Sequence, residues 1–243
     1  TEDSSAGFLG TNYGTIENLL IDGTVTAKNR AGLIAGKNLG KIVNCSACGS
    51  VSAKSSYAGG ICGDNSGEVT NSLAVMYSVK SGVYSGGISG YNTGLIANCL
   101  SAADEIESGM YASGISGMNT DGTISGCVCV DMDISVGLDS TCGRITTNRK
   151  KGKTENNYCY AYTVSNLSYE EIGKDTQNGD DILWEDCIDI GFYYSIGWKK
   201  SDWKTAKNGF RIPCPVQTSE PEPEPGRTIY LPKKISDARG LME

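Results

Sequence analysis

The 243-residue sequence contains no histidine. Imidazole is the usual proton shuttle at neutral pH, a member of Ser-His-Asp and Cys-His nucleophile systems, and a common zinc ligand. Active sites of these kinds are therefore excluded. Basic residues are also outnumbered, since 21 Lys and Arg stand against 28 Asp and Glu, giving a net charge of −7. Nucleic-acid surfaces are normally basic, so we expect no nucleic-acid partner.

Large apolar side chains are scarce as well. Only 39% of the residues are hydrophobic, with 3 Phe, 6 Pro and 32 Gly. A single thick core in a chain of this length normally requires more large apolar side chains. No apolar run approaches the roughly 20 residues of a membrane span, so we expect no span in this segment. The composition favours a narrow core of Ile, Val and Ala.

One unit recurs along most of the chain. It is most complete from Ser85 to Asn98, where it reads small-Gly-Gly-Ile-x-Gly-x-Asn-x-Gly-x-Ile-x-Asn. Its first Asn recurs at spacings of 26, 27, 27, 27 and 29, at Asn12, Asn38, Asn65, Asn92, Asn119 and Asn148. A fixed period of this size indicates one supersecondary unit stacked on its own copies.

The segments between the glycines are short and rich in β-branched residues, as in Thr24-Val25-Thr26, which is typical of strands. Three such strands in each unit predict an all-β, right-handed parallel β-helix of about five to six coils. The hand follows the general preference of parallel crossovers. The downstream apolar position of the unit should stack inside the coils, at Ile16, Ile42, Val69, Ile96 and Ile124.

The repeats end before the chain does. We predict four regions: β-helix repeats at 1–163, a small aromatic-rich C-terminal cap at 164–215, a Pro/Glu linker at 216–226, and a tail or the start of a further region at 227–243. The cap holds Trp184, Trp198 and Trp203, which we interpret as a lid on the open end of the core. The sixth copy departs from the pattern, and aligning it on Asn148 puts Arg144 at the first Ile position.

Four blocks of the repeat resemble the GLUG motif, a Gly-Leu-any-Gly repeat: Gly7-Phe8-Leu9-Gly10, Gly60-Ile61-Cys62-Gly63, Gly87-Ile88-Ser89-Gly90 and Gly114-Ile115-Ser116-Gly117. GLUG repeats occur in large bacterial surface proteins, including immunoglobulin-A protease precursors and adhesin-like chains, where they are not the catalytic part. The resemblance therefore implies a secreted or surface-attached segment of a longer chain. It supplies no catalytic residue.

A tyrosine column is the first candidate site. Tyr57, Tyr84 and Tyr111 recur at spacings of 27 and 27, directly before the small-Gly-Gly block. They could form an aromatic strip that binds sugar rings, or a packed structural stack. Side chains alternate between the two faces of a strand. Counting back from Ile61, which should be buried, places Tyr57 on the inward face, and this favours the packed stack.

Acidic residues on two adjacent coils are the second candidate. They are Asp104, Glu105 and Glu107 on one coil, and Asp131 and Asp133 on the next. Glu105, Asp131 and Asp133 could ligate calcium, because calcium prefers carboxylate oxygens. Paired carboxylates could instead act as acid and base on a polysaccharide. A solvated acidic face is the third interpretation, and no cofactor other than calcium is expected.

The ten cysteines are interpreted mainly as small buried fillers. Cys45, Cys99 and Cys127 share one column with Ser72, and a serine in the column argues against an obligatory disulfide. We therefore expect mostly free thiols, with Cys99 and Cys127 as the most plausible neighbouring pair. Cys45 and Cys48 have zinc-like spacing, but no second such pair exists.

These observations favour a non-catalytic structural and adhesion module of a larger bacterial cell-surface or secreted protein. We expect a monomer, located outside the cell or at its surface, that presents a rigid face to a host or bacterial glycan or surface protein. The alternative is a carbohydrate-active β-helix enzyme, a polysaccharide lyase or glycoside hydrolase that uses the acidic coils.

Overall fold

The computed structural model describes residues 4–148, 151–165, 171–205 and 212–216. In these ranges the chain forms a parallel β-solenoid of six coils, followed by a C-terminal segment with two short helices and a small antiparallel sheet. The fold class expected from the repeat is confirmed. The predicted linker beyond Val216 and the predicted tail lie outside the described residues.

Each coil contains four strand positions rather than the three expected, because the small-Gly-Gly block itself begins as a strand. The first three coils contain β1 (Ser5–Ala6), β2 (Leu9–Asn12), β3 (Thr15–Glu17), β4 (Leu20–Ala27), β5 (Arg30–Gly32), β6 (Ala35–Asn38), β7 (Lys41–Val43), β8 (Ser46–Ala53), β9 (Tyr57–Gly59), β10 (Cys62–Asn65), β11 (Glu68–Thr70) and β12 (Leu73–Ser81).

In the next three coils the fourth strand is broken in two. These coils contain β13 (Tyr84–Gly86), β14 (Ser89–Asn92), β15 (Leu95–Ala97), β16 (Leu100–Ala103), β17 (Ile106–Ser108), β18 (Tyr111–Ser113), β19 (Ser116–Asn119), β20 (Thr123–Ser125), β21 (Val128–Cys129), β22 (Asp133–Val136), β23 (Thr141–Gly143), β24 (Thr146–Asn148), β25 (Lys153–Glu155), β26 (Tyr158–Tyr160) and β27 (Val164–Ser165). The C-terminal segment contains β28 (Asp180–Ile182), α1 (Trp184–Ile188), α2 (Ile190–Ser195), β29 (Trp203–Thr205) and β30 (Pro213–Pro215).

Strands at the same place in successive coils pair in parallel, which gives four sheets along the solenoid, named here sheets 1 to 4 in the order of the strands within a coil. The predicted apolar column lies in sheet 3, where Ile16, Ile42, Val69, Ile96 and Ile124 are paired in register. Four of them are fully buried. Ile16 is only partly buried, because among the described residues only the second coil covers it.

The two asparagine columns build the corners of the coil. At the first corner, each Nδ2 donates to the Oδ1 of the next coil, with N–O distances of 2.8, 2.8, 2.8 and 2.9 Å from Asn12 to Asn119. At the second corner, Asn18, Asn44, Asn71, Asn98 and Asn156 have φ between 50° and 57°. This left-handed region favours Asn and Gly, and Gly126 takes the same place with φ of 60°.

The sixth coil corrects the alignment made on Asn148. The backbone N–H of Ile115 donates to the carbonyl of Ile145, and that of Gly114 donates to the carbonyl of Arg144. Ile145 therefore continues the buried Ile column, and Arg144 occupies the second-Gly position. The sixth copy is one residue shorter between Thr146 and Asn148, where the strand register shifts.

Arg144 holds in place the segment that covers the last coil. Its guanidinium is buried, and it donates to the carbonyls of Asn178 (3.0 Å) and Gly179 (3.2 Å) and to Asp181 Oδ1 (2.6 Å). The backbone N–H of Ile145 also donates to the carbonyl of Gln177 at 2.9 Å. Residues 173–182 therefore cover the end of the solenoid.

The tryptophan-rich part of the C-terminal segment covers the side of the solenoid, contrary to the expected end lid. Trp198 and Trp203 are 3% and 1% exposed, as predicted, whereas Trp184 is only partly buried. They form one cluster with apolar residues of sheet 4, including Leu100 and Val128. Consecutive apolar residues in these strands leave both faces of sheet 4 in need of cover.

Three hydrogen bonds show the path of this side cover. Asn156 Nδ2 in the sixth coil donates to the carbonyl of Ile196 at 3.1 Å. Trp198 Nε1 donates to the carbonyl of Gly126 in the fifth coil at 2.7 Å. Asn71 Nδ2 in the third coil donates to Asp202 Oδ2 at 3.0 Å. The segment thus runs back along the second asparagine corner and is hydrogen-bonded to the sixth, fifth and third coils.

Candidate binding face

The tyrosine column forms a continuous row of rings. Tyr57, Tyr84 and Tyr111 pair in register at the start of their strands in sheet 1. The ring centroids of Tyr57 and Tyr84 are 5.4 Å apart, and those of Tyr84 and Tyr111 are 5.1 Å apart with an interplanar angle of 11°. Tyr57 and Tyr84 are half-buried, whereas Tyr111 is 7% exposed. The row is therefore packed, as alternation suggested, yet two of its members still reach the surface.

Tyr91 from sheet 2 joins the row. Its ring centroid lies 5.3 Å from that of Tyr57 and 5.7 Å from that of Tyr84. The flat faces of these rings are thus largely occupied by one another. A ligand at this surface would meet ring edges and phenol groups more than open aromatic faces. Tyr91 is not recognisable as a site residue from the sequence, because its column holds Lys37, Asp64 and Met118 and has no repeated residue type.

Charged groups lie at one end of the row. The guanidinium carbon of Arg30 is 5.7 Å from the centre of the Tyr57 ring, within cation–π range. Arg30 Nε is also 3.2 Å from Asp64 Oδ2, and Lys37 Nζ is 4.0 Å from the same oxygen. Asp64 is only 6% exposed, whereas both cations are partly exposed. We name Arg30, Lys37, Tyr57, Tyr84 and Tyr91 the tyrosine face.

Asp131, the central acidic candidate, is fully buried. Its Oδ1 accepts hydrogen bonds from Ser101 Oγ (2.8 Å) and the backbone N–H of Ala103 (2.7 Å), and its Oδ2 accepts one from Cys129 Sγ (2.9 Å). Burial raises the pKa of this carboxyl from its ordinary 3.8 to about 7, and the three hydrogen bonds oppose the shift. A group enclosed in this way cannot touch a polysaccharide unless the coil opens.

The structure does not bring Glu105, Asp131 and Asp133 together as ligands. Glu105 pairs with Lys80 (Oε2–Nζ 2.9 Å), and Glu107 pairs with the same Nζ at 2.8 Å. Asp133 is partly exposed at the start of β22. Within the ranges that the structure describes, no group of three or more Cys, Asp or Glu could hold a metal ion.

All ten cysteines are free thiols in the structure, and nine of them are buried. The Sγ of Cys99 contacts Cys127, and burial raises the pKa of Cys99 well above its ordinary 9.0. Cys129 similarly contacts Cys159, its in-register partner on the neighbouring strand β26 of sheet 4. The thiols therefore act as small neutral fillers, as the serine-containing columns indicated.

No protein-family model matches the chain, and no curated protein matches its sequence. Among solved structures, it is similar to the crystal structure of a candidate immunoglobulin A1 protease from Bacteroides ovatus, with a TM-score of 0.65 and 20% sequence identity. The similarity covers 89% of this chain and 73% of that one. At this identity it supports the β-solenoid fold alone. No helix of the described part is long and apolar enough to cross a membrane.

Proposed function

We propose that this chain is a non-catalytic structural and adhesion module of a larger bacterial cell-surface or secreted protein. The observation that carries the proposal is that the repeated residues have structural roles. The asparagine ladder, the left-handed corners and the buried Ile column all serve the stacking of coils. A solenoid of this kind is a rigid rod whose surface columns are held at fixed spacing.

The tyrosine face is the contact surface in this proposal. The half-buried tyrosine rings supply apolar area and phenol hydrogen-bond donors at little cost in side-chain entropy. Arg30 and Lys37, on the neighbouring coil, add charged donors. Since Arg30 and Lys37 lie at one end, an anionic group on the partner would be placed there. This chemistry suits an acidic glycan or a surface protein.

The similarity to the candidate protease from Bacteroides ovatus supports a surface location only through the shared fold. The GLUG resemblance of the repeat blocks points the same way. We therefore place the parent protein outside the cell or at its surface, with the solenoid as a spacer that presents the tyrosine face.

Binding should be measured with the full chain on a glycan array and on immobilised surface proteins. We expect the double variant Tyr57→Ser/Tyr84→Ser to lose at least tenfold in affinity for the wild-type ligand. Tyr13→Ser is the matched control, because Tyr13 is 79% exposed and lies away from the row. Equal binding by all three proteins would contradict the tyrosine face.

Catalysis requires a separate screen on acidic and neutral polysaccharides, with and without calcium. We expect no turnover. Turnover that Asp133→Ala abolishes would overturn the non-catalytic assignment and restore the enzyme alternative.

A further inference from the structure

The tyrosine face is part of a regular array on three successive coils. Each coil contributes one residue from sheet 1 and one from sheet 2, in register with those of the next coil: Arg30 and Lys37 on the second coil, Tyr57 and Asp64 on the third, and Tyr84 and Tyr91 on the fourth. On the fifth coil the same two positions hold Tyr111 and Met118, which are 7% and 3% exposed. The accessible part of the array therefore ends at the fourth coil.

The charge of the array is concentrated on the second coil. Arg30 Nε and Lys37 Nζ both face one carboxylate oxygen, Asp64 Oδ2, at 3.2 and 4.0 Å. The Lys37 distance is at the limit of an ion pair, and its side chain is 33% exposed, so its ammonium can still donate to an anion from outside. A second anion would meet the carboxylate of Asp64 on the third coil. The array therefore suits a ligand with a single negative group at one end.

The size of the array favours a narrow ligand. Neighbouring coils are about 4.8 Å apart, so three coils span about 10 Å along the solenoid axis, and the array is two side chains wide. A stable protein interface buries about 800 Å² on each partner, far more than six partly covered side chains can offer. One sugar ring in an extended oligosaccharide has about the length of one coil step, so a chain of three sugars matches the three coils.

The tyrosines suit the hydroxyl groups of neutral sugars. The Tyr91 ring lies between those of Tyr57 and Tyr84, with centroid distances of 5.3 and 5.7 Å, so the ring faces are largely covered by one another. The parts that reach the surface are ring edges and phenol groups. A phenol both donates and accepts hydrogen bonds, as does each sugar hydroxyl, and neither group carries a charge.

We infer that the tyrosine face binds an oligosaccharide of at least three sugars, which lies along the solenoid axis and carries one acidic sugar at its end. The carboxylate of that sugar lies against Arg30 and Lys37, and neutral sugars lie against the third and fourth coils. This inference rests on the proposed binding function of the face, and it adds the class, direction and minimum length of the ligand. Lys37 determines the preference for an acidic sugar, and Tyr84 determines the length.

The test uses four soluble probes, each titrated against the full chain by NMR: N-acetylneuraminic acid, sialyllactose, lactose and trigalacturonic acid. Sialyllactose has one carboxylate on the first of its three sugars, and lactose is its neutral remainder. Trigalacturonic acid has a carboxylate on every sugar. We expect sialyllactose to bind about tenfold more tightly than lactose, the scale of one hydrogen bond to a charged group. It should also bind more tightly than trigalacturonic acid, because Asp64 opposes a second carboxylate.

Two variants locate the acidic and neutral ends of the ligand. Lys37→Met removes the charge with little change in side-chain length, and it should abolish the preference for sialyllactose over lactose. Lys41→Met is the matched control, because Lys41 is on the same coil in sheet 3 and its side chain is 55% exposed; it should keep the preference. Tyr84→Phe retains the packed ring and should weaken sialyllactose about fivefold, the scale of one neutral hydrogen bond. It should leave N-acetylneuraminic acid unchanged, because one sugar reaches only the second coil.

Several results would overturn the inference. Equal binding of sialyllactose and lactose by the wild type, or equal weakening by Lys37→Met and Lys41→Met, would show that the second coil does not select an acidic sugar. Tighter binding of trigalacturonic acid would exclude a single acidic group. A surface protein that binds through Tyr57 and Tyr84, when none of the four probes binds, would refute the inference and leave the proposed function intact. Absence of both glycan and protein binding would refute both.

Discussion

Replacing Asp131 with asparagine should change how the stability of the protein depends on pH. The carboxyl is fully enclosed, and its Oδ2 faces Cys129 Sγ at 2.9 Å. Asparagine has the same shape as the protonated carboxyl and can place its amide nitrogen against the sulfur. Oδ1 can still accept the hydrogen bonds from Ser101 and from the N–H of Ala103.

The direction in which stability changes with pH follows from the raised pKa of Asp131. Because the folded protein holds the Asp131 proton more tightly than the unfolded chain does, this group favours folding most strongly below pH 4. That contribution is lost as the pH rises from about 4 to about 7, and the effect of this group on stability does not change further above pH 7. A shift from 3.8 to about 7 corresponds to about 4 kcal/mol, at 1.36 kcal/mol for each pKa unit.

The assay is urea unfolding of wild type and Asp131→Asn at intervals between pH 4 and pH 8. All other titrating groups are shared, so the difference between the two free energies isolates Asp131. We expect this difference to move in favour of the variant by about 4 kcal/mol across the range. Asp133→Asn is the control, because its side chain is partly exposed. A difference that stays constant with pH would refute the reasoning.

Three further experiments test the construction of the rod. Arg144→Met should destabilise the protein by about 3 kcal/mol in urea unfolding, because it leaves buried carbonyls without a donor, and Asp181→Asn should cost less since Asp181 is half-exposed. Asn65→Ala, in the middle of the ladder, should cost about 2 kcal/mol, and more than Asn12→Ala at its end; equal losses would contradict the ladder. A chain that ends at residue 183 should expose sheet 4, bind a hydrophobic dye and aggregate, whereas a monomer with an unchanged melting temperature would contradict the side cover.

The two candidate sites show the limit of sequence reasoning in different ways. The tyrosine column was visible because its members recur with the period of the coil. Tyr91 was not, since its position in each coil holds a different residue type. The burial of Asp131 was hidden as well, because an acidic residue near other acidic residues looks like part of a solvated face. One signal was available: Asp131 follows the consecutive apolar residues Val128 to Val130, which is typical of a strand covered on both sides.

The sequence by itself determined the coil. In a parallel in-register stack each residue meets the same position one period away, so the contacts that stabilise the fold appear in the sequence as columns. The core at Ile42, the ladder at Asn38 and the corner at Asn44 could all be predicted for that reason. The tertiary structure alone decided how the non-repeating parts pack. Arg144 forms hydrogen bonds with the segment that covers the last coil, and Trp203 packs against the side of sheet 4. Neither contact recurs with the period of the coil, so neither can be read from the repeat.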